Sequence, residues 1–172
     1  TGLEPHSFDA AVCCMGLMFV PEPAAALEEW RRVLVPGGKI AAATWASPQH
    51  NPWLTCLGMA AMSSGLVSGG PPTGPGGLFS LGEPAQLEQA AHAAGLGDIA
   101  VQEVPVVFNA PTAEYYYDHV STMAGPLAVA VAQATEDQRA TVKATVFDLV
   151  ARFRTETGLS IPGFALVLTA SG

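Results

Sequence analysis

Charged residues are scarce in this sequence, and positively charged ones are the scarcest. The 172 residues include seven Lys and Arg against fifteen Asp and Glu, which gives a formal net charge of −8. A nucleic-acid backbone and an anionic membrane surface both repel such a chain, so neither is expected as a partner. Because 49% of the residues are hydrophobic and only 13% are charged, the composition also excludes a disordered chain.

Cysteine is also sparse. Cys13, Cys14 and Cys56 form neither a C-x-x-C pair nor a zinc-binding spacing, so no metal site is predicted. We expect buried free thiols in a reducing compartment, the cytoplasm, rather than catalytic or redox cysteines. The sequence has no charged-then-apolar leader and no uninterrupted apolar run of about 18 residues, and therefore indicates neither secretion nor a membrane span.

A glycine-rich strand-to-helix turn of the G-x-G-x-x-G type is missing before the first predicted strand. The glycines that do cluster, between Gly65 and Gly77, alternate with prolines and neither follow a strand nor open a helix. This pattern predicts a mobile loop rather than a cofactor cradle.

The stretch from Ser7 to Trp45 contains the clearest structural pattern. Ala10 to Cys14 is a short apolar run without polar alternation, which predicts a parallel strand buried on both faces. Apolar residues at helical spacing then predict a helix up to Leu34, and the Pro36-Gly37-Gly38 turn leads into a second strand, Ile40 to Trp45. Two strands joined in this way form a right-handed parallel unit.

The remaining chain predicts an α/β fold with further helices and two more strands. The predicted elements are a helix over 54–62, a helix ending at Ala94, a strand over 99–108 in which Pro105 indicates a bulge or an edge position, a helix over 112–123, a helix opened by the capping pair Thr135 and Gln138 that packs on the sheet, and a last strand over 164–170. At this length one domain is the default. Three adjacent tyrosines at 115–117 cannot share one helix face, so at least one is exposed or covers a pocket.

Four short motifs carry a family resemblance. They are Phe8-Asp9, Gly16 to Phe19, Arg31 to Leu34, and Pro36-Gly37-Gly38. Together they resemble the second half of a class I S-adenosylmethionine-dependent methyltransferase of the ubiquinone/menaquinone-biosynthesis type. The resemblance implies a partial Rossmann-like sheet of the last four strands, with the final strand antiparallel between the two that precede it in the fold. It also implies a single domain over 1–172, in which 46–78 and 109–134 are cap insertions on the acceptor side.

The same resemblance implies S-adenosylmethionine as the cofactor and a small organic molecule as the methyl acceptor. The donor's methionine portion falls beside Cys13, Cys14, Met15, Gly16 and Leu17, and the residues expected at the acceptor are Trp45, His50, Asn51, Trp53 and Tyr116. His50 as a general base competes with an ordinary loop histidine, which is the interpretation we favour. No catalytic residue is assigned, because an activated sulfonium needs positioning more than it needs a base.

In the resembled family, the first half of the fold supplies a glycine-rich turn for the methionine end of the cofactor and a carboxylate for its ribose hydroxyls. Two consequences follow if these two features are missing. The chain alone is expected to bind the cofactor weakly or not at all, and so to be inactive by itself. The strand Ala10 to Cys14 is expected to present an open apolar edge that favours a homodimer or a partner chain. A non-catalytic dimeric scaffold or small-molecule-binding module therefore stays open as an alternative, and an unrelated dehydrogenase-like α/β fragment fits the motifs less well.

Overall fold

The computed structural model describes residues 1–123 and 125–172; residue 124, within the predicted insertion 109–134, lies outside the described residues. The strands are β1 (Phe8–Cys14), β2 (Leu34–Trp45), β3 (Gly97–Ala110), β4 (Arg154–Thr155) and β5 (Gly158–Ser171). The helices are α1 (Pro23–Val33), α2 (Pro52–Ser63), α3 (Pro84–Ala93), α4 (Ala113–Met123), α5 (Pro126–Gln133) and α6 (Glu136–Val150). Three short 3₁₀ turns cover 17–19, 48–50 and 151–153.

The sheet has the strand order β1-β2-β5-β3, with β4 paired to β5. β1 and β2 are parallel, and Cys13 lies opposite Ala42. β5 runs antiparallel to β2, with Leu168 opposite Ala42, and lies between β2 and β3. The α/β class, the parallel pair and the inserted antiparallel strand are thus confirmed.

The Pro36-Gly37-Gly38 motif forms a bulge inside β2 rather than a turn before it. Phe8 lies opposite Leu34 but Ala10 lies opposite Lys39. Between these two pairs, β2 advances by five residues and β1 by two. Gly37 has a φ of +79°, and a methyl group on Gly38 would lie 3.1 Å from the carbonyl oxygen of Asp9. Glycine fits both positions because of the left-handed backbone at Gly37 and the close approach at Gly38.

The prediction that β1 is buried on both faces is wrong for this chain. Val12 is 79% exposed and Phe8 is 42% exposed. The cause is topological, since β1 is an edge strand whose single neighbour in the described sheet is β2. The open apolar edge that the sequence predicted for the strand Ala10 to Cys14 is therefore present in the described sheet.

By its contacts, the chain divides into two compact units. The first comprises Thr1–Ser47, Pro72–Pro105 and Phe164–Gly172, and the second comprises Pro48–Pro71 and Val106–Gly163. The domain boundaries expected from the resemblance stay a prediction.

The first unit has a core formed by the sheet, α1 and α3. Leu27, Leu87, Leu166 and Leu168 are fully buried in it. Burial of such leucine side chains contributes roughly 1.5 to 3 kcal/mol each to folding. Trp30 of α1 is half-buried against this core.

The second unit is formed largely of helices. α6 begins at the predicted capping box of Thr135 and Gln138, and it packs on α2 and α4. Its packing on the sheet stays a prediction. α5 was not predicted, because a run of alanines and valines has no clear helical periodicity. No helix in residues 1–123 or 125–172 is long and apolar enough to cross a bilayer.

Candidate functional site

The loop after β1 holds the five residues predicted to meet the methyl donor. The backbone of Met15 turns sharply out of the strand at a φ of +56°, and its N–H donates to the carbonyl oxygen of Ala43 on β2 at 2.9 Å. Gly16 and a 3₁₀ turn, Leu17–Phe19, follow. The predicted donor residues thus lie at the carboxyl end of a parallel strand, the position where open α/β sheets bind ligands.

Most of these side chains point into the protein. Leu17 is fully buried, and Cys13 and Met15 pack half-buried against the core of the first unit. A methyl group on Gly16 would lie only 2.9 Å from the Cys13 sulfur. Cys14 alone among the five is exposed, so this loop offers a ligand mainly its backbone groups.

The prediction that all three cysteines are buried free thiols is wrong for two of them. All three cysteines are free, but only Cys56 is buried, whereas Cys13 is half-buried and Cys14 exposed. Adjacent residues of a strand point to opposite faces, and on an edge strand one of those faces is open.

The electrostatics of the loop differ from those of a complete donor site. The sequence from 40 to 82 contains no Asp, Glu, Lys or Arg, and Asp9, the acidic residue of β1, lies near the opposite end of the strand from the loop. Metal binding is also unsupported, since the described part of the chain brings together no three His, Cys, Asp and Glu side chains that could hold an ion. The stretch 40–82 therefore supplies no carboxylate that could bind ribose hydroxyls.

In the second unit, two predicted acceptor residues meet around Phe108. The Trp53 ring stacks on Phe108 with centroids 5.3 Å apart and planes 8° apart, and Tyr116 meets Phe108 edge-on at 5.7 Å. The Tyr116 hydroxyl donates to the carbonyl oxygen of Trp53 at 2.7 Å. These contacts fix the start of α2 against α4 within the second unit.

Burial changes the acid–base properties of this cluster. Desolvation raises the pKa of the Tyr116 phenol far above its usual range, with a further contribution from Cys56. Desolvation also raises the pKa of the Cys56 thiol, against the opposing effects of the Arg152 charge and the Tyr116 hydrogen bond. Both groups are therefore protonated at neutral pH, and neither acts as a general base there.

Asn51 and His50 have different environments. Asn51 is fully buried at the start of α2, where its carbonyl oxygen accepts from the Leu54 N–H at 3.0 Å. Its side-chain oxygen lies 2.7 Å from the position that a methyl group on Gly163 would occupy. His50 ends the short turn before α2 and is exposed.

Trp45 lies in the first unit, whereas the other four predicted acceptor residues lie in the second. It is the last residue of β2 and packs half-buried against the core. The sequence interpretation missed Phe108 and His119, whose rings lie 5.2 Å apart. Alternation of Val106, Phe108 and Ala110 along one face of β3 is the signal by which Phe108 could have been found.

Comparisons with known proteins agree with this geometry. The sequence model of a methyltransferase domain matches residues 1–42. Among solved structures, the chain resembles a candidate methyltransferase of Bacillus halodurans, with a TM-score of 0.55 and 14% identity over 99% of this chain and 72% of that one. It also resembles a candidate methyltransferase from an antibiotic biosynthesis pathway of Anabaena variabilis, with a TM-score of 0.55 and 11% identity over 98% of this chain and 69% of that one.

A third similar structure is the YcgJ protein of Bacillus subtilis, with a TM-score of 0.52 and 12% identity over 99% of this chain and 66% of that one. The chain thus spans between 66% and 72% of these three structures. No curated protein matches it in sequence. The likenesses establish a fold like that of these candidate methyltransferases, and the match of the methyltransferase-domain model to residues 1–42 covers the four motifs of residues 8–38.

Proposed function

We propose that this chain forms the trailing part of an S-adenosylmethionine-dependent methyltransferase of the ubiquinone/menaquinone type, which transfers a methyl group to a small organic acceptor. The observation that carries the proposal is the position of β5, antiparallel to β2 and inserted between β2 and β3. That topology accompanies a loop at the carboxyl end of the parallel strand β1, in the place where the resembled family binds the donor's methionine portion.

The donor site is proposed at the loop from Cys13 to Leu17. Its accessible features are backbone groups and the exposed Cys14 side chain, which suit the methionine portion of the donor. S-adenosylmethionine supplies an activated methyl group when bound. The fit is partial, since the uncharged stretch 40–82 brings no carboxylate for the ribose. We therefore expect this chain alone to bind the donor weakly.

The open edge of β1 is the proposed position of the leading part of the enzyme. Val12 is 79% exposed although its strand is apolar, and unpaired N–H and C=O groups on an edge strand favour the addition of another strand. A strand added there would place its own carboxyl-end loop next to Met15 and Gly16. The carboxylate that would bind the ribose of the donor is expected in that neighbouring loop.

Within the second unit, the acceptor is proposed to contact residues of the set His50, Asn51, Trp53 and Tyr116. A role for Trp45, in the first unit, stays a prediction. The protonated Tyr116 phenol and Cys56 thiol provide no base, so catalysis is proposed to rest on positioning the acceptor's own nucleophile. Three free thiols suit the reducing cytoplasm as the place of action.

A second candidate is a non-catalytic dimeric scaffold or small-molecule-binding module. The exposed apolar edge of β1 favours it, because that edge gives the chain a means of association that needs no cofactor.

Calorimetric titration with S-adenosylhomocysteine separates these functions. The 172-residue chain and the product of the complete reading frame, whatever its length, are titrated side by side. We expect roughly millimolar or weaker binding to the chain alone and much tighter binding to the complete product. Low-micromolar binding to the chain alone would contradict the partial-site argument, and a complete product that binds no S-adenosylhomocysteine would contradict the methyltransferase proposal.

A further inference from the structure

One segment of the first unit, Pro72–Gly82, contacts the turn after β1 and the carboxyl end of β2, and we call it the strap. The Phe79 N–H donates to the carbonyl oxygen of Pro72 at 2.9 Å, which closes the strap into a compact loop. A methyl group on Gly77 would overlap the same Pro72 carbonyl. The glycines and prolines of this stretch therefore form a specific closed loop rather than a plain linker.

The strap is attached to the turn after β1. The Ser80 hydroxyl donates to the carbonyl oxygen of Met18 at 2.6 Å, across 62 positions of sequence. A methyl group on Gly76 would lie 3.6 Å from the carbonyl oxygen of Phe19. Met18 and Phe19 belong to the 3₁₀ turn that follows the proposed donor loop, so the strap lies directly beside that turn.

The strap is also attached to the end of β2. The hydroxyl of the fully buried Thr44 donates to the carbonyl oxygen of Leu81 at 3.3 Å. A methyl group on Gly82 would lie 3.1 Å from the backbone nitrogen and Cα of Ser47. Phe79 is itself buried, at 3% exposure. The strap is thus held firmly at β2, and Ser80 reaches from it to the turn after β1.

The donor loop needs such support because of the backbone at Met15. A non-glycine residue at a φ of +56° adopts a sparsely populated conformation, and such a conformation persists only where surrounding contacts hold it. The Met15 N–H bond to Ala43 holds the loop on one side. The Ser80 hydroxyl holds the turn that follows, where the buried Met18 carbonyl would otherwise lose its partner.

We propose that the strap keeps the loop after β1 in the shape that receives the methyl donor, with Ser80 as a positioning residue. The inference rests on the proposed function for its ligand, but the support of the turn by Ser80 is a property of this chain itself. Ser80 contacts the turn backbone and not the donor, so its effect on binding is indirect.

Hydrogen exchange of the Phe19 and Val20 amides tests the support directly. These amides donate to Gly16 and Leu17 and close the turn. In Ser80→Ala we expect their exchange to accelerate roughly threefold to tenfold, because one net hydrogen bond is lost. Ser80→Thr keeps the hydroxyl and should exchange nearly as slowly as the wild type. Gly70→Ala, with open space around it, is the matched control outside the strap.

Titration of the complete product, carrying the same substitutions, with S-adenosylhomocysteine and followed by NMR tests the link to the ligand. Faster exchange together with weaker binding in Ser80→Ala, and recovery of both in Ser80→Thr, support the proposal. Unchanged exchange in Ser80→Ala overturns it. Faster exchange with undiminished binding overturns the positioning role. A wild-type complete product that binds no S-adenosylhomocysteine instead overturns the proposed function, and the exchange result then decides the strap alone.

Discussion

β1 and β5 are both apolar strands of one sheet, yet their environments are opposite. Leu166 and Leu168 of β5 are fully buried, whereas Val12 of β1 is 79% exposed. β5 lies between two strands, and β1 lies at the edge. An apolar run therefore predicts a strand whose side chains favour burial against a neighbouring strand or helix. It does not show that the neighbouring element belongs to the same chain.

Truncation of a leucine in β5 should give the largest change in stability. Leu166→Ala leaves a cavity in the core of the first unit, and we expect it to lower the free energy of unfolding by about 2 to 5 kcal/mol. Val12→Ala on β1 should lower it by about 0.5 kcal/mol or less, because the side chain is already in water. Urea unfolding followed by circular dichroism measures both.

The outcome depends on whether β1 is exposed in solution as well. If Val12→Ala costs as much as Leu166→Ala, a second molecule or a rearranged segment covers the edge, and the contrast between the strands disappears. Measurements at several protein concentrations identify the first of these cases, since only the cost of an intermolecular contact varies with concentration.

A methyl group added at Gly163 of β5 should give the next largest effect. It would lie 2.7 Å from both the Asn51 side-chain oxygen and the Trp53 indole nitrogen. Both side chains are buried, so they cannot simply move into solvent. We expect Gly163→Ala to lower the free energy of unfolding by about 1 to 3 kcal/mol through overpacking.

Gly70→Ala is the control, because open space surrounds this glycine. Thermal unfolding should separate the two variants, and tryptophan fluorescence, to which Trp53 contributes, should change in Gly163→Ala alone. Equal stability of both variants would mean that Asn51 and Trp53 are not fixed against β5, which would support their proposed contact with an acceptor.

Local patterns of the sequence predicted the fold well where a pattern has a single structural solution. The capping pair Thr135 and Gln138 placed the start of α6. Pro105 indicated a bulge or an edge position, and β3 lies at an edge of the described sheet. The bulge at Gly37 and Gly38 was read as a turn, since its shape depends on the register between two strands. Register is a long-range property that composition does not carry.

The candidate site was less predictable, because its contacts join distant segments. Nothing local to Ser80 indicates that its hydroxyl reaches Met18, and nothing local to Phe108 indicates a stack with Trp53. The position of the loop after β1 could be predicted because a strand end is a topological position, whereas binding of the donor there stays a prediction. The side-chain burial of Leu17 in that loop needed the fold.

The smallest effect on folding, and the most direct test of the edge, comes from Val12→Lys. A lysine on an edge strand prevents further strand addition while it leaves the exposed position in water, so stability should change by about 0.5 kcal/mol or less. The wild-type chain should self-associate with concentration in light scattering, and its Cys14 should become slower to alkylate as it does so. Val12→Lys should stay monomeric with Cys14 reactive throughout. A wild-type chain that stays monomeric at high concentration would contradict the dimeric scaffold, because that function requires association of two chains. The exposed edge of β1 would then support only the proposal that the leading part of the enzyme pairs with it.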